Sequence, residues 1–325
     1  MKKDNVKVSY PKSYFDEVRN NKRQRIYDCF SFFNELDLLE LRLNELDANV
    51  DYFVITEANK TFSGDSKELY FKKNKERFKK WSNKIIHIIV DMPSLNFIDR
   101  FLIWLEKILP RKIQLILRKI LFNVVGGVAR YKLVEFQKRS VIGGLNNCNE
   151  NDIIMGIDLD EIPNPKKINE AKRALEKYLF VEFEMDNFRY YLNGKIPGVK
   201  SPGTRACKFK TLKSKLDRKI DFLRTAPYLW RRFKKDFQKK NYFLIRRGGW
   251  HFSYLGGIRK VIEKLKTRSH PEYDKKEIQD EKKVKKMIEE GYFPVDNLRI
   301  DYITIDKSFP LSIRRNLKKF KEYIK

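Results

Sequence analysis

The chain has 325 residues, 42% hydrophobic and 14% aromatic, enough to bury a substantial core, while 35% charged residues and no apolar run near the ~18–20 residues of a spanning helix argue against a membrane span. A formal net charge of +28 calls for anionic company: a nucleic acid, an acidic membrane surface or phosphorylated substrates. Cys29, Cys148 and Cys207 match neither a disulfide framework nor a zinc spacing, and the first residues lack the apolar centre of a signal peptide, so a cytoplasmic protein is expected.

Residues 1–24 read as a basic extension with at most a short helix. Order begins at Arg25: residues 26–32 have strand composition, and leucines 38, 39, 41, 43 and 46 recur at helical spacing after Asn34 or Asp37. Residues 50–56 form a second strand, ending in the polar loop Glu57-Ala58-Asn59-Lys60. A lysine-rich helix over 74–81 and a third strand over 84–91 follow. Strand alternating with helix predicts an α/β domain with a mostly parallel central sheet, whose ligands collect at the carboxyl ends of the strands. The Glu57 loop, Asp91 and any later acidic strand end then share one edge.

Residues 97–127 differ in character. Pro110 splits them into two short helices, the second with an apolar stripe opposite Arg111, Lys112, Arg118 and Lys119. Such a helix faces either a core or an anionic membrane interface. A helix over 128–142 carries Glu135 and Arg139. Next comes Asn151-Asp152-Ile153-Ile154-Met155-Gly156-Ile157-Asp158-Leu159-Asp160-Glu161-Ile162-Pro163, an apolar strand that ends in three carboxylates before a proline stops pairing. If the strand continues, Asp158 and Asp160 point the same way. Oxygen ligands so placed suit Mg²⁺ or Mn²⁺. Glu161 is expected beside the ligands rather than among them.

A helix over 166–177 and two strands, 178–183 and 188–192, turning at Asp186-Asn187, precede a basic segment. From Lys195 to Arg247 there are eighteen Lys and Arg against three Asp. Glycines and aromatics then crowd into Gly248-Gly249-Trp250-His251-Phe252-Ser253-Tyr254, read as a loop packed against a flat ligand or another strand. His251 there is the natural nitrogen ligand beside the acidic cluster, whereas His87, inside a strand, reads as a core histidine. Helices over 258–265 and 275–290, a strand over 301–306 and a basic amphipathic helix over 311–323 complete the chain. The domain plan is therefore an extension (1–24), a catalytic domain (25–273, with the insertion near 97–127) and a helical, basic C-terminal addition (274–325).

Carboxylates holding a metal among Arg139, Arg246, Arg247, Lys260 and Lys264 point to a diphosphate, and neither a Walker loop nor Gly-x-Gly-x-x-Gly is present. A transferase using a nucleotide-diphosphate sugar fits best. Residues 26–43 (Ile26-Tyr27-Asp28-Cys29-Phe30 through Asn34-Glu35-Leu36-Asp37), 54–64, 158–163 and 249–254, in that order, closely resemble glycosyltransferase family 17, the family of the β-1,4-mannosyl-glycoprotein 4-β-N-acetylglucosaminyltransferase. The resemblance implies a GT-A-like fold, a UDP-sugar donor (N-acetylglucosamine or a related hexose), a divalent metal and inversion at the anomeric carbon. Carried over, Asp158 and Asp160 match the metal motif, and Glu35, Glu57 and Asn59 the motifs on the donor side. Glu135 and Arg139 resemble a helix motif of similar character.

Trp250 and Lys264 join the expected donor contacts, and His251 the metal ligands. The base that takes the acceptor proton is sought among Asp186, Glu184 and Asp221, with Asp186 the first choice. A surface glycan or lipid-linked glycan acceptor, reached at the inner face of an anionic membrane, suits the two basic amphipathic helices, and no specific nucleic acid is expected. Two other classes use some of the same features: a metal-dependent nucleotidyltransferase, which releases pyrophosphate, and a non-enzymatic nucleic-acid binder, which explains the charge alone.

Overall fold

The computed structural model describes residues 5–20, 23–62, 64–97, 99–101, 104, 113, 129–216, 220, 241–267, 280–293 and 298–325. Most of the expected amphipathic insertion (97–127), the middle of the basic segment and Asp221 lie outside the described residues.

Among the described residues, nine strands run side by side, with a tenth on the side, in one mixed sheet. Its first half is built from β2 (Ile26–Phe32), β3 (Tyr52–Ala58), β4 (Ile85–Val90) and β5 (Ile153–Asp158), all parallel, in the order β4-β3-β2-β5. These are near-continuous apolar runs because both faces of a parallel sheet are covered. β3 is buried at every position. The helices α1 (Tyr14–Asn20), α2 (Leu36–Leu46), α3 (Tyr70–Lys73) and α4 (Ala129–Arg139) belong to this half. Leu38, Leu39, Leu41, Leu43 and Leu46 of α2 are buried against one face, each contributing about 1.5–3 kcal/mol at most. Leu133 of α4 with Val141 and Leu145 covers the other.

The first residues are not a mere extension. β1 (Val6–Ser9) pairs antiparallel with β4 and closes that edge of the sheet, and Tyr14 of α1 is fully buried.

Beyond β5 the sheet turns antiparallel. β6 (Glu161–Pro163), α5 (Ile168–Ala174), β7 (Phe180–Arg189), β8 (Gly194–Lys208), α6 (Phe209–Lys215) and β9 (Tyr242–Ser253) continue it in the order β5-β8-β7-β9-β6, where only β7 and β9 are parallel. The expected mostly parallel sheet is thus mixed, wholly parallel only from β4 through β5. Two local readings change with it. Asp186 and Asn187 make no turn: β7 runs straight through them, because both side chains find partners across the neighbouring strands, Asp186 on Lys195 and Lys200, Asn187 on Ser201 and the Val199 carbonyl. The glycine-aromatic stretch is strand rather than loop. A Cβ on Gly249 would meet the Ile162 carbonyl at 2.2 Å, and one on Gly248 would meet Phe183 Cα at 2.7 Å, so the glycines let β9 lie close to its neighbours.

α7 (Gly257–Thr267) and α8 (Glu281–Glu290) share a smaller core with Tyr190, Tyr254 and Ile300. β10 (Tyr292–Phe293) and β11 (Leu298–Arg299) form a two-stranded sheet, and β12 (Asp301–Tyr302) pairs with β8. The expected helix over 311–323 stops early: α9 (Leu311–Arg315) ends at Asn316, and the chain turns so that Ile313 and Phe320 enter the main core with Phe309. Those apolar side chains therefore serve packing and are not presented to a membrane.

Candidate active site

The parallel order brings the ends of β3, β4, β2 and β5 to one edge, where Asp158 stands. The strand stops there. Leu159 and Asp160 make a turn, and β6 begins at Glu161 opposite His251 on β9. Because the extended conformation ends at Asp158, Asp160 is placed by the turn and not by strand alternation. The Asp158 carboxylate meets Lys138 of α4 at 2.9 Å. The Asp160 carboxylate meets Lys264 of α7 at 2.9 Å on one oxygen and faces His251 Nε2 at 3.7 Å on the other. Lys264 in turn lies 3.8 Å from Glu35, just before α2. His251 Nδ1 is held at 3.2 Å by Asn187.

Electrostatics follow from these contacts. Burial pushes the Asp160 carboxyl upward, but the Lys264 ammonium and the His251 ring override it and hold it well below the usual carboxylate range. Burial pushes His251 down, and Asp160, with Glu161 behind it, raises it above its ordinary value. Lys264 is likewise raised, burial being outweighed by Asp160 and Glu35. The centre is a dense alternation of charge in which Asp158 has Lys138 and Lys264 is shared between Asp160 and Glu35.

Among the described residues no group of three His, Cys, Asp or Glu side chains is placed to hold a metal ion. The chemistry of the expected donors fits a divalent ion only in part. Asp160 and His251 face each other as an oxygen and a nitrogen donor, while Asp158 is drawn aside to Lys138. Glu161 is 4% exposed and lies opposite His251, near enough to raise it.

Several expected donor contacts are engaged elsewhere. Glu57 is fully buried; its carboxylate accepts from the Phe71 and Lys72 amides at the start of α3 and faces His87 Nε2 at 3.0 Å, so it serves that helix and the core histidine. Asn59 ties the ends of β3 and β4 together, donating to Asp91 at 2.7 Å and accepting from the Met92 amide at 3.0 Å. Glu135 and Arg139 pair with each other at 3.1 Å on α4, and it is their neighbour Lys138 that reaches Asp158. Trp250 is buried in the main core and donates its indole N–H to the Ser308 carbonyl. Asp186 is in register with Trp250, and Asn187 with His251. Since successive strand residues face opposite ways, Asp186 faces away from His251, onto Lys195 and Lys200.

Glu35 and Lys264 stand together at the edge of a cleft. Between the start of α2, α7 and the last residues of the chain lies a cleft with Asn34, Glu35, Glu263 and Lys264 on its polar side and Phe252 and Tyr323 among its apolar walls. Glu263 accepts from Asn34 Nδ2 at 2.9 Å. The sequence reading missed Lys138, Asn187 and Glu263. Lys138 had a signal, being one helical position from the residues chosen; the other two depend on long-range pairing.

Residues 3–100 match the family model of glycosyltransferase family 17. The matched part runs from β1 through β4 and contains Glu35, Glu57 and Asn59. The acidic turn and His251 lie beyond it, so their likeness to the family rests on their motifs. The family match supports glycosyl transfer as the class of activity. Among curated proteins, none matches the chain. Among the described residues no helix is long and apolar enough to cross a membrane.

Proposed function

We propose that the protein is an inverting glycosyltransferase with a GT-A-like fold that moves a hexose, N-acetylglucosamine or a related sugar, from a UDP-sugar to a glycan or lipid-linked glycan. The observation that carries this is the alternation Glu35–Lys264–Asp160–His251 at the sheet edge, beside a cleft whose first wall comes from the family-matched residues. A diphosphate needs cations that neutralise the leaving charge, and Lys264 and Lys138 stand there on short tethers. A divalent ion, Mn²⁺ or Mg²⁺, held by Asp160 and His251 and by Asp158 once Lys138 lets go, would supply further neutralisation of the departing diphosphate.

The apolar walls Phe252 and Tyr323 suit the faces of a sugar ring, and the carboxylates of Glu35 and Glu263 suit its hydroxyls. Glu35 takes the part of the base: it lines the cleft, where an acceptor hydroxyl can approach the sugar from the side away from the diphosphate. Peripheral contact with the inner face of an anionic membrane is supported by the exposed Phe97, Phe101 and Trp104 in a basic stretch.

The deciding experiment is a panel of UDP-sugars with and without Mn²⁺, read as thermal stabilisation and as slow release of UDP. One sugar nucleotide is expected to raise the melting temperature and be hydrolysed to UDP, and Glu35→Gln to cut turnover about 10²–10⁴-fold while leaving the thermal shift in place. Release of pyrophosphate would assign nucleotidyl transfer instead, and no response to any UDP-sugar would refute the proposal.

A further inference from the structure

Arg42, in the middle of α2, is fully buried and so is Asp28 of β2, with which it forms a two-point pair: Nε donates to one carboxylate oxygen at 2.8 Å and Nη2 to the other at 2.7 Å. The remaining nitrogen, Nη1, is aimed at the acidic turn. It donates to the carbonyls of Asp158 at 3.0 Å, Leu159 at 3.1 Å and Glu161 at 2.7 Å. The guanidinium also lies over the Phe30 ring, 4.8 Å from its centre.

Three carbonyls within four residues point to one spot because the chain reverses there between β5 and β6. A buried ion pair is seldom the most stable occupant of a core, since desolvating two charges offsets most of their attraction. This pair holds something that apolar side chains would not. A lysine could face Asp28 but lacks the planar fork that reaches the carboxylate and the turn together. The carbonyls so gathered fix the backbone on both sides of Asp158 and Asp160, and with it the directions of the two carboxylates, one toward Lys138 and the other toward Lys264 and His251.

We propose that Arg42, braced by Asp28, is the positioning residue of the acidic turn, which sets the carboxylates for the diphosphate of the donor; this rests on the glycosyltransferase reading. The test separates positioning from mere stability. Arg42→Lys leaves a charge on Asp28 without the fork, and the double variant Asp28→Leu/Arg42→Met replaces the pair by apolar side chains of similar size, which restores a stable core if a single variant fails to fold. Two readouts are taken on the full chain: hydrogen exchange of the backbone over residues 156–164, and UDP release from the sugar nucleotide that stabilises the wild type.

In the folded double variant, exchange over 156–164 is expected to rise while β3 and β4 keep wild-type protection. UDP release is expected to fall about 10–100-fold, as when outer partners of site ligands are lost. Wild-type protection of the turn together with a wild-type rate in the double variant would overturn the proposal. If the wild type itself responds to no sugar nucleotide, the functional reading fails, and the exchange of 156–164 alone decides whether Arg42 positions the turn.

Discussion

The two halves of the sheet are built differently. β2 to β5 all lie parallel and end at the same edge, whereas β6 to β9 mix directions: β6 meets β9 antiparallel through Glu161 and His251, and β7 lies parallel beside β9 through Asn187 and His251. The first half offers a rigid edge and one aspartate. The second supplies nearly everything that gives the second aspartate its character: the histidine, its orienting asparagine and, in the helix just after β9, Lys264. Asp158 pairs with Lys138 and Asp160 with Lys264 and His251, although Lys264 also feels Asp158, so single substitutions at the two aspartates can be compared.

The largest effect is expected at Asp160. Asp160→Asn removes the charge that Lys264 and His251 share, and transfer should fall about 10³-fold, the loss typical of a charge-stabilising group in a site. His251, relieved of its partner, should then titrate lower than in the wild type, which the proton NMR signal of its ring will show. Asp158→Asn should lower transfer too but leave His251 where it was. Equal displacement of His251 by both substitutions would mean that the two carboxylates act as one centre after all.

The next effect tests the join between β6 and β9. Gly249→Ala forces a Cβ against the Ile162 carbonyl, a backbone atom with nowhere to go, and should cost about 2–4 kcal/mol in urea unfolding. Gly143→Ala is the control, because its Cβ would make ordinary contacts from 3.4 Å outward, and should stay within about 0.5 kcal/mol of wild type. Comparable losses in both would show that the added methyl groups report general sensitivity to glycine replacement.

The same division explains what could be read from sequence. Apolar runs bounded by polar loops identify β2, β3, β4 and β5 to within two residues, because strands buried on both faces leave a continuous signal. Asp186-Asn187 and Gly248-Gly249 carry turn chemistry, yet both lie in strands, since cross-strand partners and close backbone approach decide their conformation. At the site, residue type drew Asp158, Asp160 and His251 together as a metal set and the family resemblance brought in Glu35, but the pairing of Asp158 with Lys138 was not legible, and the period-two argument needs a strand through Asp160, whereas β5 ends two residues short of it. Asp28 and Arg42 were legible in retrospect: Asp28 is the lone charge of the buried β2, Arg42 is the one basic residue of α2 and lies among its buried leucines, and the two signs match.

The smallest effect lies at the seam where the chain's last residues close the cleft. Tyr323 donates to Asp37, Lys319 pairs with Glu40, and Arg77 bonds Asp37 at 2.6 Å and Glu40 at 2.7 Å. Burial alone would raise both carboxyls, but these partners hold them below their ordinary values of 3.8 and 4.5. A carboxyl depressed in the folded state contributes stability above its unfolded value and loses it as pH falls through the folded one. Docking of residues 309–325 should therefore be full at pH 6 and weaken below about pH 4, by no more than about 1 kcal/mol per pair because the groups are partly exposed. Hydrogen exchange of this segment at pH 3, corrected for the intrinsic rate, should rise relative to pH 6, while β3 keeps its protection. Tyr323→Phe should reduce the contrast between the two pH values, since Asp37 then loses one of the two donors that depress it. Unchanged protection of residues 309–325 across that range would place the strength of the seam in the apolar contacts of Phe309, Ile313 and Phe320.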